Sequence, residues 1–396
     1  MGVATQVAVE QRAVDAMVPS RTVRPETTDE LAAIITAADH AREAVVLWGG
    51  GTRMGVGDPP DRYDIAVDLT GLSGVVEHSP ADLVCTVRAG TTLAELASAL
   101  GASGQRWPVE AALPERATVG GTIAGAAAGP SRLRYQHPRD WIIGCTAVLG
   151  DGTITHAGGR VVKNVTGYDL TRLYSGSYGT LVALAEITLK LMALPDRTVT
   201  LRATVTNVSA ALRVAAELRA MHLPLDALAI VTGAAAERCG DPRTSVFIRV
   251  SGPDAAVDRV ARVVRESTDA ADADATIWHT IASVPAEMER VARAGWPGGH
   301  EPPDGLALSD AVIYPGSGIA FLLGATAPNE FARMRASAEA ADGTLVVERA
   351  DAAFKAAVGG AWGRSRVPGT IARALKQKFD PHGVLAPGRI PLASSS

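Results

Sequence analysis

The rhythm of hydrophobic and polar positions changes three times along the chain. Over residues 22–110, short apolar runs alternate with helix-period stretches. Thr27-Thr28-Asp29-Glu30 offers a capping box ahead of Leu31-Ala32-Ala33-Ile34-Ile35, which predicts a helix. Residues 44–48, 65–69 and 83–89 predict strands, and 92–100 the next helix, so the opening is βαβ-like. From Gly120 to Leu194, glycines punctuate short β-branched runs. This predicts an antiparallel sheet with glycine-rich turns, closed by a strand over 181–191. After Pro195 the order becomes strand 198–206, helix 209–221, strands 225–232 and 245–251, helix 254–267 and strand 275–281, a βαββαβ pattern of ferredoxin-like type. A second, less complete set follows: strands 311–314 and 318–325, helix 328–341 and strand 344–349. The tail predicts a helix over 371–379 and an extended segment over 380–390.

A chain of 396 residues exceeds one ordinary core, so more than one domain is expected, of α+β class. With 47% hydrophobic and 20% charged residues the chain is globular rather than disordered. The formal charge is −4 and no basic stripe interleaves with aromatics, which argues against nucleic-acid binding. Cys85, Cys145 and Cys239 lie far apart without a CxxC, so neither an iron–sulfur cluster nor a disulfide scaffold is expected within this chain. Residues 1–20 lack a basic start followed by an apolar core, so no secretory signal is expected. The most apolar stretch, 181–194, contains Glu186 and Lys190 and is too short to span a bilayer. A cytoplasmic location is the default, with any membrane association made through partners.

Four segments carry candidate chemistry. Trp48-Gly49-Gly50-Gly51-Thr52-Arg53-Met54-Gly55 follows an apolar strand. Successive glycines there can turn backbone N–H groups toward an anion, although a plain strand-to-helix turn reads the same way. Neither GxGxxG spacing nor a Walker lysine is present. Thr118-Val119-Gly120-Gly121-Thr122-Ile123-Ala124-Gly125 again permits close approach of backbone to a ligand, or starts a helix capped by Thr118. The stretch from Gly158 through Lys163, Asn164, Tyr168, Asp169 and Arg172 to Gly179 is densely polar between apolar runs. That is costly unless it meets a ligand or water. The tail Phe379-Asp380-Pro381-His382-Gly383-Val384-Leu385-Ala386-Pro387-Gly388-Arg389 pairs rigid Pro with permissive Gly, as a locked path across a surface would.

Taken in order, these segments resemble the FAD-binding family of p-cresol methylhydroxylase and vanillyl-alcohol oxidase. Within it they are most similar to the FAD-binding subunits of bacterial glycolate oxidase (glycolate dehydrogenase). The resemblance spans about 23–390 and is strongest over 118–194. It implies a two-subdomain FAD-binding domain over 1–195 and a ferredoxin-like α+β cap domain over 196–366. The C-terminal helix and tail, 367–396, would fold back on the first. It implies that the Gly49–Gly55 loop cradles a pyrophosphate, that Thr118, Gly120, Gly121 and Thr122 follow the diphosphate and ribityl chain, and that Glu186 and Ile187 reach the adenine end. Gly125, Lys163, Asn164 and Gly179 complete the expected cofactor set.

Departures from the family pattern refine the picture. Trp48 stands where many members carry Arg, and the absence of a His beside the glycine triplet implies non-covalent FAD. Ala386-Pro387-Gly388 replaces the family's Asn-Pro-Gly. The hydroxy-acid dehydrogenases of this family cluster His residues in the cap to hold a metal. Here His222, His279 and His300 stand apart, and no metal is expected. The chain then resembles a companion subunit, working with a second flavin subunit and an iron–sulfur subunit on a small hydroxy acid. The alternatives are a free-standing FAD oxidase or dehydrogenase of a small alcohol or hydroxy acid, and a scaffold without FAD. For a free-standing enzyme, Arg132, Arg134, His137, Arg139 and Asp140 would face the flavin. His137 or Tyr168 would then act as base, and an Arg such as Arg139 would hold a carboxylate.

Overall fold

The computed structural model describes residues 9–390 apart from 128, 160–167, 325 and 366. It opens with a three-stranded parallel sheet in the order Arg21–Val23, Ile65–Asp68, Val45–Trp48. The helix Thr28–Ala41 covers it. Thr27 Oγ1 accepts from the Glu30 N–H at 3.1 Å, and Arg42 closes the other end in the left-handed conformation. Leu31, Ile35 and Ala38 form its buried face.

A five-stranded antiparallel sheet follows, ordered Val75–Ser79, Val84–Arg88, Val182–Lys190, Ile142–Leu149, Ile154–Gly158. Its middle strand is buried on both faces. Val182, Leu184, Ile187 and Leu189 join a core with Leu93, Leu96 and Leu100, while Ala183 and Ala185 pack with Leu31, Ile35 and Val45 on the other side. Alternation that changes parity at a register shift between Leu184 and Glu186 thus clamps the parallel sheet to the antiparallel one, each fully buried Leu or Ile contributing about 1.5–3 kcal/mol.

The glycine-rich stretch is less continuously β than its pattern suggests. Short helices Val119–Ala124, Arg132–Tyr135 and Leu170–Tyr174 interrupt it. Thr118 Oγ1 accepts from the Gly121 N–H and Asp169 Oδ1 from the Arg172 N–H. These local side-chain bonds compete successfully with a sheet ladder.

The second half builds one eight-stranded antiparallel sheet: Ala271–Asp272, Arg197–Thr204, Ser245–Gly252, Ala227–Thr232, Ala311–Tyr314, Ile319–Leu323, Val291–Gly295, Thr344–Arg349. By chain order the first four run 4-1-3-2, the ferredoxin-like arrangement. The second four repeat it in mirror order, 2-3-1-4, the two sets meeting where Ala227–Thr232 pairs Ala311–Tyr314. The strand Val291–Gly295, absent from the sequence reading, completes the second set. Helices Val208–Ala220, Asp254–Thr268 and Pro328–Ala340 cover one face.

One predicted strand is wrong. Residues 275–281 enter the helix Ile277–Glu287, and the fourth ferredoxin-like strand is the two-residue Ala271–Asp272. The β-branched Thr276, Ile277, Thr280 and Ile281 suggested a strand. Burial of Trp278, Ile281 and Val284 at three-residue spacing decides for a helix.

The tail folds back on the first half. Asp380, 1% exposed, pairs with Lys376 at 2.6 Å and accepts from the Val384 and Leu385 N–H groups at 2.9 and 2.8 Å. Val45 N–H donates to Val384 O, and Ala386 N–H to Val45 O, so 384–386 runs beside the first-sheet strand Val45–Trp48.

Candidate functional site

Where Val45–Trp48 ends, the chain enters the glycine loop. A Cβ on Gly50 would run into the Arg116 carbonyl, and Gly51 sits at φ +71°. The triplet is therefore required partly by the protein's own close-packed loop. The loop's carbonyls are held from three distant segments. Arg116 Nη2 donates to Gly50 O (3.1 Å), Lys355 Nζ to Gly55 O (2.9 Å), and Arg389 Nη2 to Met54 O and Val56 O (3.0 and 2.7 Å). Among the described residues, the N–H groups of Gly50, Gly51, Thr52 and Arg53 donate to no other protein atom. Carbonyls tied to cations and amides left free make the loop an anion nest.

This loop walls a cleft. Trp48, Gly49, Gly50, Gly51, Thr52, Arg53 and Met54 line it, with Thr118, Gly120, Gly121, Gly125 and Gly179 opposite. Leu69, Ala89, Val182 and Leu184 supply an apolar floor. A second cavity shares Gly51, Thr52 and Arg53 with the first. It continues between Gly55 and Thr122 on one side and Phe321, Glu348 and Arg349 of the eight-stranded sheet on the other.

Glu348 organises that second space. Its carboxylate holds Arg53 at 2.8 Å and Arg293 at 2.9 Å. Burial alone would raise its pKa, but the two guanidinium groups override this and keep it below the usual carboxylate range. Against burial, the same carboxylate raises both arginines. Arg349, donating to Ala286 O, adds another cation to the wall, which therefore favours an anion. Three buried polar atoms near these cavities have no partner: Thr122 Oγ1, Arg53 Nε and Arg389 Nη1.

The structure does not bring every candidate here. Lys163 and Asn164 lie outside the described residues. Glu186 and Ile187 miss the cleft wall, where Val182 and Leu184 stand instead; Ile187, 1% exposed, packs into the core. His137 caps the short 3-10 helix Pro138–Trp141, its Nδ1 accepting from the Arg139 N–H. Burial, with Arg132 and Arg139 nearby, pushes it down to about 4. Arg139 is exposed and Tyr168 is 96% exposed, and neither walls either of these two cavities. Arg134 pairs with Asp226 of the eight-stranded sheet at 2.7 Å. Sequence reasoning missed Arg293, Glu348, Arg349 and the role of Arg389. A signal existed for one of them: Glu348 interrupts the apolar run Leu345-Val346-Val347.

Two cavities joined at an anion nest suit an elongated molecule with a central pyrophosphate. FAD fits: free amides and unpartnered donors lie where it would need them, and apolar walls lie at both ends. Residues 19–158 match a family model described as an FAD binding domain. This part of the chain is an FAD-binding domain.

Beyond that domain, the chain is similar to FAD-dependent oxidoreductases. It is 29% identical over 367 residues to glycolate oxidase subunit GlcE of Escherichia coli (strain K12), covering 90% of this chain and 95% of that one. It is 31% identical over 205 residues to glycolate oxidase subunit GlcD of Bacillus subtilis (strain 168), covering 52% and 44%. Over that match and the one to the Archaeoglobus fulgidus D-lactate dehydrogenase, the chain spans less than half of the relative's length. Among solved structures, 4-ethylphenol oxidase from Gulosibacter chungangensis superposes with TM-score 0.73 at 16% identity, covering 96% of this chain and 92% of that one. A substrate-bound p-cresol methylhydroxylase does so with TM-score 0.70 at 14% identity, covering 94% and 88%. The fold is therefore of p-cresol methylhydroxylase type. Among the described residues no three His, Cys, Asp or Glu gather to hold a metal ion, and no helix is long and apolar enough to cross a membrane.

Proposed function

We propose that this chain is the non-covalent FAD subunit of a complex that oxidises a small 2-hydroxy acid, glycolate or a close analogue, together with a second flavin subunit and an iron–sulfur partner. The observation that carries the reading is the near end-to-end match to glycolate oxidase subunit GlcE. The site supports the division of labour. Arg53 and Arg349 give the second cavity cations suited to a carboxylate. Among the described residues its one wall carboxylate, Glu348, is engaged by two arginines and held ionised, so it makes a poor proton acceptor. The Gly50–Arg53 amides and Thr118 would hold the pyrophosphate, and Thr122 and Arg389 carry donors free for the cofactor. Bound FAD supplies a two-electron acceptor.

The test is to purify the chain alone and record its visible spectrum before and after acid precipitation. Flavin bands near about 370 and 450 nm, released into the supernatant by acid, are expected of non-covalent FAD. Anaerobic glycolate should leave the colour of the isolated chain unchanged and bleach it only with the partner subunits present. Rapid bleaching of the isolated chain would overturn the companion-subunit reading, and a colourless chain that FAD cannot restore would overturn the cofactor.

A further inference from the structure

A third cavity lies at the seam between the FAD-binding domain and the helix Ile277–Glu287. It has a volume of about 390 Å³ and shares Ala111 and Ala282 with the Arg53–Glu348 cavity, so the two spaces adjoin across a pair of the smallest side chains that carry a Cβ. Its walls are mainly apolar, with Leu96 and Trp278 among them. Two wall residues carry N–H donors that nothing satisfies. Trp107 is 8% exposed and its indole Nε1 has no partner; Arg106 Nε is also buried and unpartnered.

The charge balance of this wall is one-sided. Glu110 is fully engaged. Arg249 holds it through two bonds (2.7 and 3.1 Å), the Ser131 N–H donates to it at 2.9 Å, and against the effect of burial it stays below the usual carboxylate range. Arg106 has no such partner. Its guanidinium lies over the Tyr135 ring and donates through Nη2 to the neutral Tyr135 hydroxyl at 2.7 Å, and no carboxylate within salt-bridge distance faces it among the described residues. The Tyr135 hydroxyl in turn donates to Asp226 at 3.0 Å, a carboxylate already paired with Arg134, so the half-buried Arg106 guanidinium, beside an unsatisfied indole N–H, lacks a direct acceptor with negative charge. The apolar walls ask for a carbon body behind that charge.

We propose that the seam cavity is a binding subsite for an organic carboxylate with a large apolar or aromatic body. Arg106 and Trp107 receive the carboxylate, and the body packs between Leu96 and Trp278. Because the subsite adjoins the Arg53–Glu348 cavity at Ala111 and Ala282, it makes bulky 2-hydroxy acids, such as aryl-substituted ones, the class this chain accommodates beyond glycolate. That last step rests on the hydroxy-acid reading above; the carboxylate subsite does not.

The flavin-loaded chain is titrated calorimetrically with 3-phenyllactate, with phenylacetate, which keeps the aryl carboxylate but lacks the hydroxyl, and with glycolate. Both aryl acids are expected to bind saturably and glycolate at least about tenfold more weakly. Arg106→Gln removes the charge and should weaken aryl-acid binding about 10–100-fold, the scale of one charge-assisted bond in a sheltered site. Trp107→Phe keeps the ring, loses the N–H and should weaken it several-fold. Unchanged flavin content and thermal midpoint certify each fold, and the Trp107 variant carries the test if Arg106→Gln misfolds. Absence of aryl-acid binding, or aryl-acid affinity indifferent to both substitutions, overturns the subsite. A yellow chain that ignores aryl acids refutes this proposal alone, whereas a colourless chain refutes the flavin reading instead.

Discussion

Replacing Glu348 by Gln isolates the contact that ties the glycine loop to the eight-stranded sheet. Glu348 is 9% exposed and its two partners, Arg53 and Arg293, are each 21% exposed, so both ion pairs are sheltered. Gln keeps one acceptor but turns an NH₂ group toward one guanidinium, leaving two cations facing each other without an anion. Removing one partner of a buried pair costs about 3–5 kcal/mol; with one hydrogen bond retained, about 3 kcal/mol is expected. At roughly 2–4 °C per kcal/mol for a unit of this size, the thermal midpoint should fall by about 6–12 °C. The exposed pair Arg265–Asp272 is the control, since Asp272→Asn should change stability by less than about 1 kcal/mol. The pH dependence has a fixed sign. Glu348 titrates lower when folded than its ordinary 4.5, so its stabilisation is complete above that value and is lost as pH falls through the folded pKa. The gap between wild type and Glu348→Gln should therefore be constant near neutrality and close in acid. Calorimetry of the two proteins at pH 7 and in acid checks this. A midpoint shift under about 1 °C at pH 7, or a gap that widens in acid, would refute the reasoning.

Gly50→Ala forces a methyl into the Arg116 carbonyl and must displace the loop, so the purified variant should lose most of its flavin absorbance while keeping its far-ultraviolet dichroism. His137, held down to about 4 against an ordinary 6.5, stays neutral when folded but takes up a proton when unfolded below 6.5. Stability should thus decline between pH 6.5 and 4 by at most about 3 kcal/mol, and His137→Asn, still able to cap, should flatten that decline in urea titrations. Asp380→Ala strands Lys376 and two buried N–H groups. About 3–5 kcal/mol should be lost, and limited proteolysis should cut between 380 and 390, where wild type resists.

Much of the framework was legible because it rests on local signals. The Thr27 cap, the apolar run closing in Val182–Lys190 and each of the first five elements of the βαββα order over 197–268 declare themselves over short stretches of sequence. The glycine loop was readable for the same reason, since close approach and positive φ leave few residues but glycine. Errors arose where two local signals conflicted. The β-branched run at 276–281 reads as strand until burial of Trp278, Ile281 and Val284 selects a helix. Glu186 and Ile187 came from the family resemblance alone, and the residues of that strand that line the cleft are Val182 and Leu184.

The sequence by itself determined most of the elements, the α+β class and the glycine loop, all properties of short-range pattern and backbone stereochemistry. Only the tertiary structure decided the electrostatics. Arg53 meets Glu348, Arg389 meets Met54, and Lys355 meets Gly55 across roughly 300 residues of chain. The pairing of such charges, and hence the sign of each cavity, depends on which surfaces the folded sheets press together; no spacing along the chain encodes it.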